Sequence, residues 1–333
     1  MRILVAYDGS EYADAALDDL KRAGLPATVE AGVITVADVF LPPDHEEVEE
    51  PSPYLAEAVR KAHEHAAREL KKATELAERT SQRIKKDFPQ WQVSAYSCPE
   101  SPAMGVILKA SELDVDLIIA GAHGHSDLGG RLILGSVSQR ILYEAACSVR
   151  IARRKRSEAE SPEDGNAPVR LVIGTDGSRH SDAAVDAVAV RSWPNGSEAR
   201  LVAATDTVMM LSTSQSESEE PHWFETDNEN DVNRLREVFE LSANKLRAAG
   251  LGTTTEIIKG NPKQVLVTVA DEWNADCIFV GAHGIRGLEH LLLGSVSSAV
   301  AARAHCSVEV VRPKTNQPVS LSRSDADAHA TSS

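Results

Sequence analysis

The chain has 333 residues, enough for two domains of roughly 150 residues that each bury a core. Hydrophobic residues make up 42% and charged residues 26%, the mix of an ordinary globular protein, and a net charge of −15 argues against a polyanionic partner such as DNA. Apolar runs stay far short of the ~20 residues that cross a bilayer, and four cysteines with no Cys-x-x-Cys spacing argue against a disulfide framework or a zinc knuckle.

Residues 3–6 (ILVA) predict a first strand, entered with no charged-then-apolar secretory signal, so the cytoplasm is the expected location. A helix is predicted to open at Ser10, a good N-cap, with Glu11 in its first turn. Residues 29–37, rich in β-branched side chains, predict a second strand that ends at Asp38 and leads into an acidic run at 44–50. A long helix is predicted over 53–87, where Val59, Ala62, Ala66, Leu70, Ala73 and Ala77 recur at spacings of three and four. Such small residues point to close packing on a sheet. A third strand (93–98), a helix (102–113), a fourth strand (115–120), a helix (132–145) and a last strand (148–152) follow. Residues 153–167 are charged, contain Pro and Gly, and read as a linker. The alternation then returns over 169–311, with its own acidic run at 217–231; both acidic runs read as solvated loops. From Pro313 onward the chain is polar and Ser/Asp-rich, and is expected to be disordered.

The second half is a copy of the first. Residues 2–18 (RILVAYDGSEYADAALD) align without gaps on 170–186 (RLVIGTDGSRHSDAAVD). Asp8/Asp176, Pro102/Pro262, Asp116/Asp276 and Cys147/Cys306 keep the same order, and the phrases GAHG and GSVS each occur twice. So long a period is a domain duplication. The expected organisation is therefore a domain over 1–152, a linker over 153–167, a domain over 168–312 and a tail over 313–333. Continuous apolar strands separated by helices predict an α/β fold: two similar doubly wound domains, each a parallel sheet between helices. Such sheets bind ligands beyond the carboxyl ends of their strands, where the strand order reverses.

Those ends carry the candidate residues. Glycine after a strand permits positive φ and a close backbone approach to a ligand, and successive N–H groups in such a turn can hold an anion. Gly294 and Ser295 would add donors where the loop enters a helix, whose N-terminus favours phosphate. Asp176 would repel phosphate but accept hydrogen bonds from a ribose or an adenine edge. An acid at one end and Gly/Ser at the other suggest a nucleotide laid across the strand ends. The chain has no Gly-Lys dipeptide and no Gly-x-Gly-x-x-Gly after its first strand, which removes the Walker and dinucleotide fingerprints. His123 and His283, inside the loops, read as histidines hydrogen-bonded to their neighbours. Cys147 and Cys306 read as buried structural thiols, and Ser10 and Ser178 as helix caps rather than nucleophiles.

On these residues the chain resembles the universal stress protein family in its tandem, ATP-binding form. The family's Gly-x2-Gly-x9-Gly-(Ser/Thr) motif is matched by Gly281, Gly284, Gly294 and Ser295. The resemblance implies a five-stranded parallel sheet in each domain, of the adenine nucleotide α-hydrolase-like kind. It implies adenine contacts near Asp8 and Val36, and near Asp176 and Ala204. Phosphate and ribose contacts would come from Gly121, Gly124, Gly135, Ser136, Val137 and Ser138, and from Gly281, Gly284, Gly294, Ser295, Val296 and Ser297. It also implies pairing of the two last strands into an internal pseudo-dimer, with a further homodimer left open. The first half departs from the motif: ten residues, not nine, separate Gly124 from Gly135, and Gly129-Gly130 could absorb the extra one as a bulge. The expected function is ATP binding as a regulatory ligand in a stress response, with a protein partner of unknown identity and no metal site of the chain's own. A slow ATPase or nucleotide-dependent transferase, with Asp8 or Asp176 helping to place Mg2+, and a scaffold whose sites bind no nucleotide remain the alternatives.

Overall fold

The computed structural model describes residues 1–39, 53–124, 134–154, 167–204, 229–284 and 293–313. In the first half β1 (Arg2–Ala6), α1 (Glu11–Leu20), β2 (Glu30–Ala37), α2 (Pro53–Asp87), β3 (Gln92–Pro99), α3 (Pro102–Glu112), β4 (Leu117–Gly121), α4 (Ser136–Glu144) and β5 (Ser148–Ala152) follow in order. The second half repeats them as β6 (Arg170–Gly174), α5 (Arg179–Ala189), β7 (Glu198–Ala204), α6 (Glu229–Ala248), β8 (Gly252–Ile258), α7 (Pro262–Glu272), β9 (Cys277–Gly281), α8 (Ser295–Arg303) and β10 (Ser307–Val311).

Each half is a parallel sheet, in the orders β3-β2-β1-β4-β5 and β8-β7-β6-β9-β10. Strand order reverses between β1 and β4, and between β6 and β9, and opens a crevice at the carboxyl ends of each pair. The halves fuse into one ten-stranded sheet where β5 and β10 pair antiparallel, with Val149 opposite Val310, Arg150 opposite Glu309, and Ile151 opposite Val308.

Strand alternation sorts the side chains of that seam onto two faces. Val149, Ile151, Val308 and Val310 point to the face of α3, α4, α7 and α8, where one apolar core runs through both halves. On the other face α1 and α2 cover one core and α5 and α6 another. Between these two lies an ionic group. Arg150 and Glu309 are each 1% exposed. Arg150 donates to both Asp19 carboxylate oxygens (2.5 and 3.0 Å) and to Glu309 Oε2 (3.2 Å). Arg191, just past α5, donates to the same Glu309, at 2.9 Å to Oε2 and also to Oε1. Charges buried this deeply are tolerated because each finds partners.

Two further arginines cross the seam reciprocally. Arg153, after β5, donates to Ala301 O at 2.6 Å in α8, and Arg312, after β10, donates to Leu142 O at 2.6 Å in α4. Each satisfies a carbonyl near the C-terminus of a helix in the other half, where the dipole favours a cation.

The elements follow the sequence closely, with one helix shortened. The helix expected over 132–145 spans Ser136–Glu144, because Gly135 is its N-cap with extended backbone (φ −60°, ψ 150°). Leu134 is buried ahead of it without joining it. The acidic run at 44–50, the Gly129-Gly130 pair, nearly all of the linker and acidic run two, and the tail from 314 lie outside the described residues. Among the described residues no helix is long and apolar enough to cross a membrane.

Candidate functional site

The first strand of each half is followed, after one residue, by Asp-Gly-Ser, and three local features shape that turn. Asp8 Oδ1 accepts from Ser10 N (3.0 Å), and Asp176 Oδ1 from Ser178 N (3.0 Å). Gly9 and Gly177 take φ of 82° and 74°, left-handed values that a Cβ would oppose. Ser10 and Ser178 then cap α1 and α5, accepting from Ala13 N and Ser181 N at 3.2 Å. The turn leaves the second carboxylate oxygen of each Asp facing across the crevice.

Across it stand the glycines after β4 and β9, and the structure revises why they are glycine. None of Gly121, Gly124, Gly135, Gly281, Gly284 and Gly294 has positive φ; that conformation belongs to Gly9 and Gly177. Close approach within the protein accounts for them instead, most strictly at Gly121 and Gly281, where the neighbour is backbone. A Cβ at Gly121 would lie 2.5 Å from Tyr12 O, and one at Gly281 2.5 Å from the backbone carbonyl of His180. One at Gly124 would lie 2.8 Å from Asp8 Oδ2, and one at Gly284 2.7 Å from Asp176 Oδ2. The acid after the first strand and the second glycine of the loop are thus brought into contact in both halves. Gly135 N and Gly294 N donate to Ala122 O (2.9 Å) and Ala282 O (2.7 Å), which clip the start of α4 and α8 to the strand ends.

The Gly-Ser-Val-Ser segments divide into two roles. The buried Ser138 and Ser297 hydroxyls donate inward, to Gly121 O (2.7 Å) and Gly281 O (2.6 Å), and so fix the helix to the strand. Ser136 and Ser295 are exposed at the first helical position, with Val137 and Val296 half-buried behind them. A glycine N-cap has no side chain to bond the first N–H groups, and neither α4 nor α8 has an acid in its first turn to do so. Among the described residues no side chain caps those donors, an arrangement suited to an anion.

In the second half these parts line one cavity of about 970 Å³, at the upper end of the range for ligand pockets. Asp176, Gly281, Gly284, Gly294, Ser295 and Ala204 are all on its wall. Val296 and Ser297 are on it too. Val36, the counterpart of Ala204, is partly buried near the end of β2, where its methyls fill the space that a Cβ at Gly105 would need, 2.8 Å away. Apolar atoms from Val202, Leu266, Val280 and Leu293 give the cavity a surface suited to a flat base.

The loop histidines pack ring to ring: Tyr12 with His123 at 4.9 Å and His180 with His283 at 5.0 Å between centroids. His283 lines the cavity, and its Nδ1 is buried with no hydrogen-bond partner among the described residues. Burial first, then His180 and Arg312, hold its pKa below the ordinary imidazole range, so the ring is neutral at neutral pH. Burial pushes the Cys147 thiol up to about 11 and Cys306 up to about 12, which makes both poor nucleophiles. Among the described residues no three His, Cys, Asp or Glu are grouped to hold a metal.

Several site residues were not singled out by sequence. Gly9 and Gly177 could have been, since Asp-Gly-Ser repeats in both halves. Tyr143, Lys263 and Arg303 also line the second cavity. Tyr143 belongs to the first half and is hydrogen-bonded to Ser298 Oγ of α8 at 2.5 Å. No local pattern marks it, because the contact exists only across the seam.

With that geometry in view, the chain's relatives are informative. A family model described as the universal stress protein family matches residues 1–153 and again 169–312. A universal stress protein of Mycolicibacterium smegmatis is 25% identical over 325 residues, covering 94% of this chain and 97% of that protein. One of Methanocaldococcus jannaschii is 43% identical over 63 residues, which span 19% of this chain and 37% of that protein. Among solved structures, a universal stress protein from Archaeoglobus fulgidus aligns over 95% of this chain and 97% of its own, with a TM-score of 0.55 and 18% identity, a likeness of fold. Two successive matches to one family model cover nearly all of the described sheet, and the chain belongs to the universal stress protein family.

Proposed function

We propose that the chain binds ATP as a regulatory ligand at the strand-end crevices. The observation that carries this reading is the pairing, in both halves, of a strand-end Asp carboxylate against a loop glycine, with an uncapped helix N-terminus beside them. The apolar wall of the second cavity suits adenine, and Asp176 Oδ2 suits a ribose or base donor. The first-turn N–H groups of α8 and the exposed Ser295 suit phosphate. The orphaned Nδ1 of His283 at the same wall is a polar atom that a ligand can satisfy.

In this reading the ligand is held rather than turned over; fast phosphoryl transfer would need an aligned general base and a cation fixed on the leaving oxygen. Calorimetry on nucleotide-stripped protein with ATP and Mg2+ tests it. Saturable heat is expected, with a stabilisation of about 2.7 kcal/mol per site at a hundredfold excess over Kd. No heat and no thermal shift would refute binding, and sustained ADP release would replace the regulatory reading with turnover.

A further inference from the structure

The two halves are not equivalent in charge where the nucleotide would lie. Lys263 and Arg303 line the second cavity together with Gly284, Gly294 and Ser295. Along the repeat Lys263 falls where the first half has Ala103, and Arg303 where it has Glu144. The first half does place a cation on the equivalent helix face, Arg140, but Glu144 neutralises it at 2.9 Å. Neither Lys263 nor Arg303 has a carboxylate partner among the described residues, and the acid on the described wall of this cavity is Asp176. Counted over the described residues, the second cavity is thus net cationic through Lys263 and Arg303, whereas the same positions in the first half are net anionic, through Asp8.

The placement of Lys263 sharpens the point. It is the second residue of α7, after Pro262, in a first turn that holds no acid. A cation at a helix N-terminus faces the positive end of the dipole, and an anion in the cavity relieves that repulsion. Two helix N-termini and the Lys263 ammonium therefore bound the same space. The small α8 residues Ser298, Ala299 and Ala302 also line this cavity and leave room for a longer chain of phosphates.

We propose that Lys263, assisted by Arg303, makes the second cavity selective for a polyphosphate: a nucleoside di- or triphosphate over the monophosphate or the nucleoside. The first half, without these cations, discriminates less by phosphate number. The proposal rests on the reading of the cavity as a nucleotide site, and the test separates the two.

Calorimetry on the full chain carrying Gly124→Val, whose side chain would drive into Asp8 Oδ2, reads the second site alone. Adenosine, AMP, ADP, ATP and inorganic tripolyphosphate are titrated in turn. Lys263→Ala is expected to weaken ATP and tripolyphosphate by about tenfold, to leave adenosine within about twofold, and to flatten the salt dependence of ATP binding. Lys263→Arg should retain the preference. Equal losses for adenosine and ATP, or unchanged ATP affinity, would overturn the proposal, as would failure of both ATP and tripolyphosphate to bind the unsubstituted chain. Tripolyphosphate binding that responds to Lys263→Ala, with no gain from adenine, would instead retain the polyanion selectivity and refute the nucleotide reading. Should Gly124→Val not fold, Lys263→Ala in the otherwise unaltered chain must change one binding isotherm and spare the other; a change in neither overturns the assignment.

Discussion

Gly281 and Gly284 are three residues apart in one loop, yet alanine at each should break a different thing. At Gly281 the added methyl would sit 2.5 Å from the backbone carbonyl of His180. Relaxed contacts between carbon atoms lie near 3.5–4.0 Å, so an overlap of about 1 Å falls on the first turn of α5. That turn is tied down by its Ser178 cap and cannot retreat alone. The expected cost is about 1–3 kcal/mol of stability, with little change in affinity among the molecules that fold. At Gly284 the methyl would meet the side chain of Asp176, 2.7 Å from Oδ2. The carboxylate can rotate away, at the expense of its bond from Ser178 N, worth about 1 kcal/mol. Gly284→Ala should therefore fold almost normally and lose about tenfold in ATP affinity at the second site, because the displaced group is the one proposed to meet the nucleotide. Urea denaturation at unchanged m-value reads the first effect and calorimetry the second. A Gly281→Ala chain as stable as the parent would refute the close packing of β9 on α5. A Gly284→Ala chain that binds ATP as the parent does would refute the placement of Asp176 in the site.

Glu309→Gln should cost about 3–5 kcal/mol in urea denaturation, because Arg150 and Arg191 stay buried without their shared carboxylate; adding Arg191→Met should then cost less than it does alone. His283 is held neutral in the fold, so its contribution is complete above the ordinary imidazole range and is lost as pH falls through its folded value. An NMR titration of its ring checks the direction, and a midpoint at or above that of an exposed histidine contradicts it. Native alkylation at neutral pH followed by mass spectrometry should label Cys98 first, since Cys277 and Cys306 are buried and burial raises the Cys147 thiol further; labelling of Cys306 before Cys98 would count against the packing of the seam.

The strands were readable because a parallel sheet covered on both faces needs uninterrupted apolar runs, and residues 3–5 and 117–120 supply them without alternation. Ser10 and Ser178 announced their helices through a cap that acts over three residues. The start of α4 is not legible in the sequence because Leu132 and Leu134 extend its apolar pattern, whereas the backbone at Gly135 decides where it begins. The loop glycines were found for their residue type, but the reason lay in partners far along the chain, such as Tyr12 against Gly121. Arg150, Glu309 and Tyr143 were opaque for the same cause. A charge inside a strand has no meaning until the register of β5 on β10 places its counterion opposite.

That seam also touches the helices whose N-termini form the two proposed cradles. Arg312 of the second half donates to Leu142 O (2.6 Å) and Cys147 O (3.3 Å), around the C-terminus of α4. The last turn of α4 has no basic residue of its own. Arg312→Ala removes a charged hydrogen bond and the cation at that dipole end, an expected loss of about 2 kcal/mol in stability. Its effect on binding should be greater in the other half: weaker ATP affinity at the first site, read in a Gly284→Val background, against a smaller change at the second, where Arg312 acts on the charge of His283, read in a Gly124→Val background. Arg312→Lys should recover part of the first-site affinity, since it restores the charge without the paired donors. A loss confined to the second site, or none at either, would show that each cradle helix is positioned by its own half alone, and the reciprocal arginines would then be fasteners of the seam with no part in ligand binding.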